Sequence, residues 1–291
     1  MVASSRAMGV VAGTRAAKVK NRAGQTAKWA LITLFLAWTV IPVLIVVTNA
    51  FKWPLDIFTK TPKLIFEPTL ENFVTAFGKS DFLRYFMNST IVALTSTVFV
   101  LVLSVFAAWG LTSLRLRRAN WISNAFLVGK LVPVISMLLP LFAIMRMAGL
   151  RGSLLAPAIA HVALQLPFMV WMLMGFMRDV PRELEQAALI DGCTRLQTLF
   201  RIVIPVILPG IAAAFILAMQ YSWNELLFSL QLTTFETYTL PVGIASFVGA
   251  VSVNAGVACA AATVTMAPMV VLGFFIQKYL AAGTTGGAVK G

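Results

Sequence analysis

Long apolar stretches alternate with short polar segments along this chain of 291 residues. Six of these stretches are long enough to cross a bilayer core, which needs roughly 20 apolar residues in a helix. They lie at about 29–51, 86–111, 121–146, 153–177, 203–230 and 256–280. Prolines inside several of them are compatible with membrane helices, because neighbouring helices can satisfy the freed carbonyl groups. The pattern predicts an all-α membrane protein with six transmembrane helices.

The amino-acid composition agrees with this fold class. Hydrophobic residues make up 59% of the chain and charged residues only 11%, which is less charge than a soluble domain normally carries. The formal net charge of +13 would suggest nucleic acid as the partner of a soluble protein. No basic stripe interleaved with aromatic residues accompanies it, so we expect no nucleic acid. We assign the positive charge to cytoplasmic loops and to contact with anionic membrane lipid.

The Lys and Arg residues predict how the chain is oriented. Fifteen of the 23 fall in four segments that alternate spans would leave on one side of the membrane: 1–28, 112–120, 178–202 and the C-terminal end from residue 278. Lys130 lies within a predicted span. The positive-inside rule therefore places both termini in the cytoplasm. We divide the chain into a basic, disordered N-terminus (1–25), one membrane domain (26–282) and a Gly-rich cytoplasmic tail (283–291).

A polar segment, PRELEQAALIDGCTRLQTLFRIVIPVILPG at 181–210, separates two of the predicted spans. Asp179 before Pro181 predicts the start of a helix, and Gly192 predicts its end. Thr194 and Gln197 form a T-x-x-Q capping box, which predicts a second helix. The segment therefore predicts a cytoplasmic helix hairpin at about 181–204, called the hairpin below. By amphipathicity alone, such a connector would most simply pack on its own protein.

The order of residues in the hairpin indicates more than a connector. A-A-x-x-D-G, then Phe eight residues after the Gly, then I-x-x-P-x-x-x-P resembles the EAA loop of ABC-importer permeases. The matching positions are Ala187, Ala188, Asp191, Gly192, Phe200, Ile202, Pro205 and Pro209. The Glu that the family carries directly before the two alanines is Gln186 here, with Glu183 and Glu185 nearby. We therefore expect no specific ion pair at Gln186.

Motifs elsewhere in the chain narrow the resemblance. PTLENF (68–73), WNELLFSL (223–230), TLPVGI (239–244) and the ending GTTGGAVKG (283–291) are each similar to motifs of one group of permeases. That group serves binding-protein-dependent sugar importers, including the maltose, trehalose and glycerol-phosphate systems. The motifs occur in the group's order within a six-span chain, so the resemblance covers most of the sequence.

The resemblance implies a non-catalytic permease subunit in the bacterial inner membrane. Its implied partners are a second, homologous permease, an ATPase homodimer and an extracytoplasmic substrate-binding protein. The hairpin would couple to the ATPase through Glu183, Glu185, Gln186, Ala187, Ala188, Asp191, Gly192 and Phe200. ATP and Mg would be bound by the ATPase subunits, and this chain would bind no cofactor. The chain itself has no P-loop, since GKS at 78–80 lacks the required Gly at Phe73.

A cluster of polar and aromatic residues near the end of the fifth predicted span is the candidate substrate path. It comprises Gln220, Tyr221, Trp223, Asn224 and Glu225. Such groups suit a sugar, which offers hydroxyls for hydrogen bonding and a C–H face for stacking. The alternative is that the cluster holds the span against a partner helix.

Two further polar residues interrupt the apolar stretches. His161 is the only histidine, so it cannot build a metal site, and we expect it in the packed core with one hydrogen bond. Lys130 either reaches toward the membrane surface or lines an inner cavity.

Other functions remain open from sequence. A polyol or glycerol phosphate could replace a sugar as the substrate. An ion-driven transporter would need a relay of intramembrane acids, and the predicted spans offer only Glu225. A membrane scaffold would leave the residue order of the hairpin without a purpose.

Overall fold

The computed structural model describes residues 3–59, 61, 63–78, 81–113, 119–246 and 254–286, and every regular element among them is helical. The helices are α1 (Ala3–Ala50), α2 (Pro54–Ile57), α3 (Glu71–Gly78), α4 (Phe82–Ser113), α5 (Ala119–Gly129), α6 (Leu138–Met147), α7 (Leu155–Arg178), α8 (Arg182–Ile190), α9 (Arg195–Thr198), α10 (Ile204–Val206), α11 (Leu208–Asn224), α12 (Leu227–Leu232), α13 (Leu240–Ser246) and α14 (Ala255–Gly286). A 3₁₀ turn (Val134–Met137) precedes α6, and a π-helical turn (Leu199–Val203) joins α9 to α10.

Four helical stretches in the described part of the chain are continuous, long and apolar enough to cross a membrane: 25–50, 82–113, 155–178 and 255–275. Two bent helix pairs bring the number to six if each pair is one span. With that counting, the predicted all-α architecture of six spans is confirmed.

The predicted third and fifth spans are not single helices, which corrects the sequence interpretation. The third bends by 89° between Gly129 and Val134. Pro133 lies in this break, and it lacks the N–H that a continuing helix would need. The fifth bends by 79° at Ile207, and α11 then ends at Asn224, before the predicted limit of residue 230. Pro205 and Pro209 flank the bend at Ile207, so the helix loses two backbone hydrogen-bond donors there.

The core of the protein is a bundle of α4, α7 and α11. One apolar cluster fills the space between them and includes Val100 of α4, Leu173 of α7 and Ala214 of α11, all fully buried. Small residues on α11 permit a close approach to its neighbours. In contrast, the side chains of α1 are almost all exposed from residue 25 to 45, and α1 packs within this chain on α14.

Buried asparagine and serine side chains fix the two long connections opposite the hairpin. Asn72, from the PTLENF motif, donates from Nδ2 to the carbonyl oxygens of Ala50 (3.0 Å) and Lys52 (2.8 Å). Asn88 donates to the carbonyl oxygens of Glu236 and Tyr238, each at 3.0 Å. Ser89 Oγ accepts from the N–H of Leu240 at 2.7 Å. These contacts tie both connections to the ends of the spans.

Helices extend into both predicted terminal segments of the chain. Helix α1 begins at Ala3, so the predicted disordered segment 1–25 is largely helical and continuous with the first span. Its Ala, Lys and Arg residues have high helix propensity, which favours this extension. Helix α14 ends at Gly286, within the predicted tail 283–291. Residues 287–291, most of the GKS sequence and the arginines at 115, 117 and 118 lie outside the described residues.

Candidate functional site

Backbone hydrogen bonds close the turn of the hairpin in a defined geometry. Gly192 has φ +85°, a conformation that other residues rarely adopt. The N–H of Gly192 donates to Leu189 O (3.2 Å), and that of Cys193 donates to Ala188 O (2.9 Å). This pair of bonds is the Schellman arrangement, which satisfies carbonyl groups at the end of α8. The helix end predicted at Gly192 is confirmed.

The capping box on the far side of the turn is also confirmed. The N–H of Thr194 donates to Gln197 Oε1 at 2.8 Å, and the N–H of Gln197 donates to Thr194 Oγ1 at 3.3 Å. The predicted cap at the start of α8 is wrong, because Asp179 caps the end of α7 and Pro181 occupies the N-cap position without a side-chain bond. The hairpin turn is thus fixed at Gly192 and Thr194, while its entry from α7 is held by other contacts.

One of those contacts joins the hairpin to α4. The Oγ of Ser113, the last residue of α4, donates to Glu185 Oε2 at 3.1 Å. A cleft of about 240 Å³ opens beside this contact, between the end of α4 and the hairpin. Trp109, Arg182 and Arg195 are among its lining residues. Of the predicted coupling residues, Glu185 therefore also holds the hairpin against the bundle.

The other predicted coupling residues lie mostly on the outside of the hairpin. Ala188 is buried, whereas Glu183, Gln186, Ala187, Asp191, Gly192 and Phe200 are exposed. The ring of Phe200 is 55% exposed, and its centroid is 6.2 Å from that of Phe106 on α4. Leu196 and Ile190 are also exposed, the latter by 85%. The hairpin consequently exposes apolar side chains, and hydrogen bonds fix the conformation of its turn.

The candidate substrate-path residues divide between two faces of α11. Gln220 and Asn224 lie one turn apart and are exposed. Trp223 is only 2% exposed: its Nε1 donates to Thr265 O of α14 at 3.2 Å, and its ring contacts Phe86 edge-on at 5.6 Å. In this conformation the Trp223 ring holds α11 against α14 and α4. Its faces are not available for stacking on a sugar.

The side chain of Glu225 bridges the break after α11. Its Oε1 accepts from the N–H of Phe228 (2.8 Å), and its Oε2 accepts from the N–H and Oγ of Ser229 (3.0 and 3.1 Å). His161 Nε2 of α7 lies 3.1 Å from the same Oε2. The side chain is 8% exposed. Glu225 thus caps the start of α12 and connects it to α7, which explains why α11 ends where the sequence analysis predicted continuous helix.

His161 makes two polar contacts where one was expected. It is fully buried, and besides Glu225 it contacts Ser222 Oγ through Nδ1 at 2.7 Å. Ser222 in turn accepts from Ser96 Oγ of α4 at 2.9 Å. His161 was predicted to lie in the packed core with one hydrogen bond, and its two partners are more than 60 residues away in sequence. A chain of buried polar groups therefore crosses from α4 through α11 to α7.

Tyr221 and Lys130 lie beside this polar chain. The Tyr221 ring contacts His161 edge-on, with 6.0 Å between ring centroids. Lys130 lies in the break between α5 and the 3₁₀ turn, and its Nζ is 5.9 Å from the Tyr221 centroid. Lys130 is exposed at that break, so it does not lie inside a continuous span as predicted.

The sequence pattern did not single out Ser96, Ser222, Asn72 and Asn88 as a group of buried polar residues. The available signal was the presence of polar residues within predicted spans, which are costly there and are usually paired. Ser96, His161 and Ser222 all meet that criterion. Hydroxyl residues are common in membrane helices, however, and the sequence does not indicate which of them meet.

Comparison with known proteins identifies the family. Residues 100–286 match the model of the family described as "Binding-protein-dependent transport system inner membrane component". The chain belongs to this family of membrane permease subunits, so it is a multi-pass inner-membrane protein without a catalytic role of its own.

Similar curated proteins cover most of the chain. The sulfoquinovosyl glycerol transport system permease SmoH of Agrobacterium fabrum is 37% identical, over 77% of this chain and 79% of its own length. The trehalose transport system permease SugB of Mycobacterium tuberculosis is 33% identical, over 90% and 97%. The diacetylchitobiose uptake permease DasC of Streptomyces coelicolor is 32% identical, over 89% and 95%.

A solved structure shares the fold. It is a chain of a bacterial ABC transporter involved in the import of the acidic polysaccharide alginate. It matches with a TM-score of 0.78 and 18% sequence identity, covering 89% of this chain and 97% of the other. At this identity the match establishes the fold alone.

Proposed function

We propose that this chain is the permease subunit of an ATP-driven importer for a sugar or glycoside. It pairs with a second, homologous permease and receives its substrate from an extracytoplasmic binding protein. A pair of ATPase subunits binds ATP and Mg on the cytoplasmic side, where both termini of this chain also lie. The proposal rests on the hairpin, in which Leu196 and Phe200 are exposed and the turn is fixed by hydrogen bonds.

The hairpin suits a docking role because its shape does not depend on the partner. The Schellman bonds at Gly192 and the capping box at Thr194 fix the angle between α8 and α9. An exposed apolar surface outside the membrane costs free energy until another protein covers it. Ala187 adds little bulk, so an ATPase cleft can approach the backbone of α8 closely. Closure of the ATPase pair would then move the hairpin together with the ends of α7 and α11.

The substrate class is supported by the relatives. The transport systems named for three of them carry sulfoquinovosyl glycerol, trehalose and diacetylchitobiose, each of which contains a sugar. Gln220 and Asn224 are exposed and lie one turn apart on α11. We assign these two amides to the substrate path, where they would hydrogen-bond sugar hydroxyls. Tyr221, Trp223 and Glu225 would act behind them by fixing the position of α11.

The test uses the complex purified from native membranes through a tag on this chain and placed in lipid vesicles. Uptake would be measured with trehalose, diacetylchitobiose and sulfoquinovosyl glycerol, each with the co-purified binding protein. We expect ATP-dependent uptake of at least one of these compounds. Mannitol and glycerol 3-phosphate serve as comparison substrates for the polyol and phosphate alternatives.

Two results would contradict the proposal. Failure to transport any of the three sugars, with or without uptake of glycerol 3-phosphate, would contradict the proposed substrate class. Uptake that is driven by an ion gradient in the absence of ATP would remove the ABC-importer assignment. A matched preparation of the tagged chain alone, without its partners, should transport nothing and bind no ATP.

A further inference from the structure

Helices α7 and α11 leave the hairpin from its two ends, so together with the hairpin they form one continuous unit of chain, called the arm. His161 lies near the far end of α7, 17 residues from Arg178 at the hairpin. At 1.5 Å per helical residue this distance is about 26 Å. Ser222 and Glu225 lie at the corresponding far end of α11. The arm is therefore joined covalently at the hairpin and meets again at these three residues.

The two ends of the arm are held in different ways. Near the hairpin, α11 lies directly against the ring of Phe176, where a Cβ on Gly210 would be only 2.4 Å from that ring. At the far end, His161 contacts Ser222 at 2.7 Å and Glu225 at 3.1 Å. These three side chains are called the clasp. Close packing thus holds α7 and α11 together at the hairpin end, and polar contacts hold them together at the far end.

Every polar atom of the clasp has a partner in one consistent arrangement of hydrogens. Neutral His161 donates from Nε2–H to Glu225, and its Nδ1 accepts the hydroxyl hydrogen of Ser222. The Ser222 oxygen then accepts from Ser96 of α4. The remaining acceptor sites of Glu225 are used by Phe228 and Ser229 of α12. Since the clasp is buried among helices, losing one partner leaves another group unsatisfied in a medium of low polarity.

The clasp acts on the break between α11 and α12. Glu225 is the first residue after α11, and its carboxylate binds the first free N–H groups of α12. His161 fixes that carboxylate from α7. The direction in which the chain turns after α11 is consequently set by a residue that lies on the other helix of the arm. Gln220 and Asn224 occupy the last turns of α11, immediately before this break.

We propose that His161 and Ser222 are positioning residues for transport, because they close the arm opposite the hairpin. This inference rests on the proposed function. When the hairpin moves, a closed arm moves as one body and delivers the displacement to the break at Glu225 and to the exposed amides of α11. Without the clasp, α11 can shift along α7, and part of the hairpin movement is lost before it reaches the substrate path. The clasp therefore governs how much sugar is moved for each ATP hydrolysed.

Ser222→Ala is the main test variant, because it removes one hydroxyl and leaves the size of the residue nearly unchanged. His161→Gln is a second variant that keeps a donor to Glu225 but loses the contact with Ser222. Ser104→Ala is the matched control. Ser104 is also a fully buried serine of a core helix, but its hydroxyl donates to Leu101 O within α4 and links no two helices.

Each complex is purified through a tag on this chain and placed in vesicles. Uptake is measured with the sugar of the panel above that the wild-type complex transports, and ATP hydrolysis is measured in parallel. We expect the ratio of sugar transported to ATP hydrolysed to fall about three- to tenfold in Ser222→Ala and His161→Gln, the range expected for one hydrogen bond. Subunit stoichiometry should match that of Ser104→Ala, so that the comparison is made between fully assembled complexes.

Three outcomes would overturn the inference. The first is an unchanged ratio in both test variants, and the second is an equal fall in Ser104→Ala. The third is failure of Ser222→Ala to assemble, which would show that the clasp serves folding. A wild-type complex that moves none of the sugars is a separate result, since it contradicts the proposed function before any variant is compared.

Discussion

The ring of Phe176 occupies the space that a side chain on Gly210 would need. A Cβ built on Gly210 would lie 2.4 Å from Phe176 Cγ and less than 3.0 Å from both Cδ atoms. The contact involves the base of the ring, which cannot move away without moving α7. The glycine therefore sets the distance between α7 and α11 at the hairpin end of the arm.

We expect Gly210→Ala to destabilise the protein. The added methyl group overpacks the contact with Phe176, which typically costs about 1–3 kcal/mol. The melting temperature of the detergent-solubilised complex should fall accordingly. Gly175→Ala is the control, because Gly175 lies in α7 with nothing within 4 Å of its Cβ position. That change should be neutral or slightly stabilising. Equal melting temperatures for the two variants would mean that α7 and α11 can move apart without loss of stability.

At Gly192 we expect the effect of a substitution to depend on backbone conformation and not on size. No atom lies within 4 Å of its Cβ position, but φ is +85°. Gly192→Val should strain this turn by about 1–3 kcal/mol and misorient α9, lowering sugar-stimulated ATP hydrolysis while leaving the membrane spans assembled. Gly192→Asn should retain most of the stimulation, since Asn adopts positive φ more readily. Full stimulation in the Val variant would contradict a coupling role for the hairpin.

Asn72 provides a test of the connection that follows α1. Asn72→Asp would direct a carboxylate toward the carbonyl oxygens of Ala50 and Lys52, both of which now accept from its amide. Leaving such buried groups unsatisfied costs about 1–3 kcal/mol each. In the proposed orientation, the segment 51–78 should become more sensitive to protease added to spheroplasts. Asn124→Asp, which makes the same change at an exposed position of α5, should leave the cleavage pattern unchanged.

Substitutions on the two faces of α11 should have different effects, on uptake at the exposed face and on stability at the buried face. Gln220→Ala and Asn224→Ala should raise the KM for the transported sugar about two- to tenfold, the factor for one hydrogen bond, without affecting assembly. Trp223→Ala should instead lower stability by about 3–5 kcal/mol, because it empties a buried site between α4, α11 and α14. Unchanged KM in a Gln220→Ala, Asn224→Ala double variant would remove these amides from the substrate path.

The helical architecture was predictable because it depends on local sequence properties. Apolar length located the four continuous spans, and the T-x-x-Q box with Gly192 located both sides of the hairpin turn. The 89° break was not predicted, although Pro133 lies within it, because prolines occur in both straight and broken membrane helices. The choice between them depends on neighbouring helices that a linear pattern does not reveal.

The candidate site was predictable in part. Adjacent positions on a helix point about 100° apart, so Trp223 and Asn224 face different surroundings. The sequence nevertheless placed five residues in one cluster: Gln220, Tyr221, Trp223, Asn224 and Glu225. The role of Glu225 depends on His161, which is 64 positions away in sequence. Contacts across such separations depend on which helices pack together, and this information lies outside any local motif.

The amide of Asn88 has a consequence for the synthesis of the chain. Its partners, the carbonyl groups of Glu236 and Tyr238, follow it by 148 and 150 residues. At roughly 5–20 residues per second, a ribosome needs about 7–30 s to supply them. The second span therefore enters the bilayer long before Asn88 can complete its hydrogen bonds. Throughout that interval the nascent protein carries an unfinished polar contact, which water or an insertion factor must satisfy until the segment with Glu236 and Tyr238 has been made.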